Sequence, residues 1–250
     1  MHTLPRSTRL IPVFALLSAA CLDTSTPTRP DGVCWADFMQ VDGIIYIGID
    51  LTDGRALRDE DLGEPYDTIA FRLYENVNDP EYEVNDGDAA FLEPGTPIHR
   101  VVGYAPEFRL AAKTASGIYL YEADTNPAAT LGSDLLDLDG AVDSIGVYST
   151  GMPMYQLGMI EDGATVENLV GMVLDAGVFP PEPVGGDEYF IAFYLKDGTT
   201  TVRPYWPDAD RLGASLILPD AFGDAVLDAV GRGPAHPNRR LRSIGRYCQP

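Results

Sequence analysis

Residues 189–207 read YFIAFYLKDGTTTVRPYWP, and this stretch decides the architecture of the second half of the chain. Tyr189, Ile191, Phe193 and Leu195 alternate with Phe190, Ala192 and Tyr194, so the predicted strand is apolar on both faces and must be central or covered. Asp197 and Gly198 supply the turn into a partner strand over 199–205, in which Pro204 predicts an edge strand or a strand end. Two helices flank this hairpin. Val166, Leu169, Val170, Val173 and Leu174 form one helical stripe, with Thr165 as expected N-cap and Gly177 past the end. A second helix starts near Pro219, buries Phe222, Ala225, Val226, Ala229 and Val230, and stops at Gly231. The Pro and Gly cluster from Pro180 to Gly186 separates the first helix from the hairpin.

Upstream, from Cys34 to Thr150, turn signals recur about every eight to twelve residues between segments rich in Tyr, Ile, Val and Phe, the pattern of an all-β sandwich or barrel. The clearest hairpin runs from Trp35 to Val41 and back from Ile44 to Asp50, with Asp42 and Gly43 as a type I′ turn. Further strands are predicted at 68–75, 97–104, 108–114, 118–123 and 142–149, and polar loops at 76–88 and 124–140. The expected fold is α+β: a β-rich N-terminal sandwich or barrel, followed by a small helix-hairpin-helix α+β unit. The expected segments are a signal peptide (1–20), a tether (21–33), a β-rich domain (34–150), an α+β domain (151–231) and a basic C-terminal tail (232–250).

The chain has 250 residues, 45% hydrophobic and 22% charged, which is enough for one large domain or two small ones with real cores and excludes collagen, coiled coil or disorder throughout. Its formal net charge of −21 argues against nucleic-acid binding and against spontaneous docking on anionic lipid. All 38 acidic residues lie between Cys21 and Gly231, whereas the tail carries Arg232, Arg239, Arg240, Arg242 and Arg246 and no acid. Asp220, Asp224 and Asp228 make a repulsive stripe on the last helix unless cations approach, and the arginine tail is expected to fold back over acidic surface.

At the N-terminus, Arg6 and Arg9 precede an uncharged apolar run from Leu10 to Ala20, the order of parts of a secretory signal and too short to span a bilayer. The sequence Leu17, Ser18, Ala19, Ala20, Cys21 resembles a bacterial lipoprotein signal in its relaxed form, with Leu one place earlier than usual. That resemblance implies that Cys21 is diacylated, that the chain is cleaved before it and that its new amine is acylated. It also implies an exported, cell-envelope location, with Leu22 after the cysteine favouring the outer membrane of a diderm cell. The alternative is plain secretion with cleavage near Ala20. Several acyl chains anchor firmly where one alone is marginal.

With Cys21 lipidated, Cys34 and Cys248 are left to pair in an oxidising compartment, which would constrain the chain by at most about 5 kcal/mol. Two buried thiols, or a Cys21–Cys34 pair, are the alternatives. The segment LDTSTPTRPDGV from Leu22 to Val33 is a solvated tether of roughly 35 Å when extended. The runs YFIAFYLKDGTTTVRPYWP and GTPIHRVVGYAPEFRLAA are similar to segments of uncharacterised exported bacterial proteins, a resemblance that implies no catalytic residue.

Chemistry is sparse. His99 lies in a strand pattern and His236 in the tail, and no GxSxG elbow, phosphate loop or zinc spacing is present. No catalytic residue, metal or cofactor is expected. Asp134, Asp137, Asp139 and Asp143 crowd one loop and Asp79, Glu81, Asn85, Asp86 and Asp88 another, but neither follows the EF-hand order. Arg203, Tyr205 and Trp206 are the candidate partner contacts; the competing role is an aromatic strand end capping the core. The expected function is a lipid-anchored envelope protein acting as a binding or interaction module, held by its lipid to the membrane and meeting an envelope protein or polymer. The alternatives are an exported hydrolase using carboxylates or His99, and a calcium-stabilised structural protein.

Overall fold

The computed structural model describes residues 35–49, 51–79, 81–151, 154–213, 215–233 and 241–243. Cys21, Cys34, Cys248 and His236 lie outside the described residues, as do the signal segment and the tether. Over the described residues the chain is α+β, with two large sheets, a two-stranded ribbon and two α-helices.

The first sheet is curled and opens with β1 (Phe38–Val41) and β2 (Ile44–Gly48). Asp42 and Gly43 between them both take positive φ, 52° and 74°, as a type I′ turn requires. A short strand, β3 (Leu51–Thr52), leaves this sheet. The sheet is completed by β4 (Leu62–Thr68), β5 (Phe71–Arg72), β6 (Asp88–Ala89), β7 (Pro97–Val101), β8 (Arg109–Thr114) and β9 (Gly117–Thr125), in the order β4-β7-β8-β9-β2-β1-β6-β5. Register shifts in the β4–β7 and β2–β9 pairs bend it. The strand predicted over 68–75 is instead the end of β4 and the two-residue β5, because Ile69 and Leu73 turn into the core from the connections rather than from a ladder.

The second sheet contains β10 (Val142–Tyr148), β11 (Gln156–Ile160), β12 (Gly177–Val178), β13 (Tyr189–Leu195), β14 (Thr200–Trp206), β15 (Arg211–Leu212) and β16 (Leu216–Ile217), in the order β11-β10-β13-β14-β15-β16-β12. The hairpin β13–β14 is therefore not flanked by helices alone. It is the middle of a seven-stranded sheet, and β10, predicted with the first segment, is its direct neighbour, with Ile145 opposite Phe193. β15 joins β14 only at Tyr205 and Trp206, just after Pro204.

Helix α1 (Gly163–Leu174) is capped by Asp162, whose carboxylate accepts from the Thr165 amide and hydroxyl at 2.9 and 2.7 Å. Thr165, predicted as the cap, is thus the capped residue. Helix α2 (Asp220–Arg232) follows Pro219 and ends at Gly233, φ 81°. Both helices bury their stripes on one face of the second sheet. Val166, Leu169, Val170, Val173, Phe222, Val226 and Ala229 belong to one apolar cluster with Ile145, Val147, Ile191 and Phe193. The same cluster contains Met39, Tyr46, Leu110 and Tyr121 of the first sheet, so the two sheets share a core. The approach of α2 to β11 requires Gly158: a Cβ there would lie 2.5 Å from the Ala229 carbonyl. No helix among the described residues is long and apolar enough to cross a membrane.

The tail returns to the body at its described residues. The last strand, β17 (Arg242–Ser243), pairs antiparallel with β3, and Leu241 is buried.

Candidate functional site

The strongest concentration of charge inside the molecule lies where the two sheets meet. β8 and β9 form a hairpin whose turn, with Thr114 opposite Gly117, sets Arg109 directly across from Glu122. Both are fully buried. Arg109 donates from Nε to Glu122 Oε1 at 2.8 Å, with Nη2 at 2.6 Å from the same oxygen. Its other donors cross to the second sheet, to Thr199 Oγ1 at 2.8 Å and the Thr200 carbonyl at 3.2 Å. The guanidinium also lies over the rings of Tyr104 and Phe108, 4.8 and 4.7 Å from their centroids. On the other side of Glu122, Oε2 accepts from the Thr201 hydroxyl and from Arg203 Nη1, the latter at 2.6 Å. Arg203 also donates to the carbonyls of Val202 and Ala123, at 3.0 and 3.3 Å.

Burial alone would push the Glu122 carboxyl up, but Arg109, Arg203 and the Thr201 hydroxyl outweigh it and hold the group below its ordinary range. Asp197, in the β13–β14 turn, extends the network. Burial raises it, while the Thr199 amide and hydroxyl and the Tyr104 hydroxyl together bring it below the ordinary carboxylate range. Both carboxylate oxygens of Glu122 are engaged. Chemically it is a clamp between sheets.

Compared with family models, curated proteins and solved structures, the chain matches none.

Beside the clamp, Arg203, Asp124, Ser215, Leu135, Leu136 and Leu212 border a cavity of about 20 Å³. That is room for about one water, against several hundred Å³ for a ligand pocket. Of the candidate partner contacts, Tyr205 is fully buried, edge-on to Phe222 of α2 at 5.3 Å between centroids. Arg203 is committed to Glu122, and Trp206 alone of the two aromatic residues keeps part of its surface in solvent. The Tyr205 hydroxyl has no hydrogen-bond partner among the described residues; burial first, then Asp210, Asp224 and Asp220, push it up to about 12.

The acidic loops hold backbone amides, some in their own turn and some in distant segments. Asp134 accepts from the Thr130 and Leu131 amides at 2.8 and 3.0 Å, and Asp137 from the Ala105 amide at 2.8 Å. Asp86 accepts from the Gly43 amide at 2.7 Å, and Asp88 from the Tyr82 hydroxyl and Asn85 amide at 3.0 and 2.8 Å. Among the described residues no three His, Cys, Asp or Glu side chains gather as metal ligands. His99 sits in β7, with Nδ1 3.2 Å from the Gly63 carbonyl, which orients the ring by accepting a hydrogen bond from it.

Sequence reasoning singled out Arg203 but missed Arg109 and Glu122. A signal for them existed: one cation in FRLAA and one anion in YLYEA, each the single charge of a five-residue apolar run and facing one another across one short turn.

Proposed function

We propose that this protein is an exported lipoprotein of the cell envelope, anchored through Cys21 and acting as a binding or interaction module. The observation that carries the reading is the sequence itself: two arginines, an apolar run, and Leu17 to Ala20 leading into Cys21. The folded body supports it through the way its polar groups are used. Glu122, Arg109 and Arg203 clamp the sheets, and loop carboxylates such as Asp134, Asp137 and Asp86 hold backbone amides. Leu131, Phe179 and Ile217 add exposed apolar surface around Gly177, which pairs with Ile217 and bridges to Leu131.

Pairing of Cys34 with Cys248 belongs to the same proposal. What supports it is the chain path. Ser243 pairs with Leu51, and three residues before Leu51 the Gly48 amide donates to the Asp37 carbonyl at 2.9 Å. The strand that leads to Cys248 thus runs within a few residues of the segment that follows Cys34.

Growth of the native host with an alkyne fatty acid, followed by intact-mass analysis and membrane fractionation, tests the reading. The expected species begins at a triacylated Cys21, floats with membranes and contains no free thiol; Cys21→Ser abolishes labelling. A species that still begins at Met1, lies with soluble cytosolic contents and has three reduced thiols would overturn it.

A further inference from the structure

No further inference is drawn: the strongest candidate, the acidic cluster of Asp210, Asp220 and Asp224 around the buried Tyr205 hydroxyl between β14 and α2, carries nothing, because among the described residues no three carboxylates gather as metal ligands and the hydroxyl is fully enclosed.

Discussion

Two regions hold the first sheet to the second, and they differ in kind. One is the apolar cluster that runs from Met39 and Tyr46 through Ile145 and Phe193 to Val226 under α2. The other is the clamp in which Glu122 stands between Arg109 and Arg203. The cluster is non-directional, so its contribution follows the area removed from water and many residue combinations would serve. The clamp is directional. A buried cation and anion joined by a second, partly buried cation are tolerable only when every donor meets its acceptor, so this region selects one alignment of the sheets and adds little net stability.

The most severe way to break that contrast is Glu122→Gln, which leaves the buried Arg109 guanidinium and the partly buried Arg203 without their carboxylate and should cost about 3–5 kcal/mol, read as a lower urea midpoint. Replacing all three charges by Met, Leu and Met should cost much less than the single change, because no charge is then left uncompensated. A triple variant as unstable as Glu122→Gln would show that the clamp contributes stability as well as alignment. The pH dependence follows from the same group. The Glu122 carboxyl is held lower in the folded state than in the unfolded chain, so its contribution is complete above the unfolded value and disappears as pH falls through the folded one. Acid titration of stability should therefore show a decline below about pH 4 that is shallower in Glu122→Gln.

On the apolar side, Gly158→Ala should cost about 1–3 kcal/mol, since the new methyl meets the Ala229 carbonyl and drives α2 off β11. Thermal melts check the loss, and a fall confined to wild-type error would show that the helix can shift without cost. Tyr205→Phe sharpens the comparison from the other direction. Removing a buried hydroxyl that has no partner among the described residues should be neutral or stabilise by about 1 kcal/mol, where removing a polar group of the clamp destabilises. The smallest effect is expected at Arg232→Ala. Its pair with Asp228 is largely exposed, and a chemical melt should move by only a few tenths of a kcal/mol.

Local signals made much of the fold legible. Alternation over 189–195, the positive-φ turn at Asp42 and Gly43, and the helical stripes of α1 and α2 all depend on neighbours a few residues away. The two-residue strands β3, β6, β12, β15, β16 and β17 carried no such signal, because a strand of that length exists only through the partner it meets. The same holds for β10, whose period predicts a strand but not the sheet it joins.

The sequence by itself determined the long elements, the turns between them and the imbalance of charge, all of which follow from spacing along the chain. Tertiary structure decided the use of the side chains. Arg203 reads as an available cation until Glu122, from a strand of the other sheet, is placed opposite it, and Leu241 reads as one apolar residue in a basic tail until it packs against Tyr148 and Tyr194. The physical reason is that burial and pairing are properties of what lies across space. Two residues far apart in the chain carry no mark of each other until the fold brings them within a hydrogen bond.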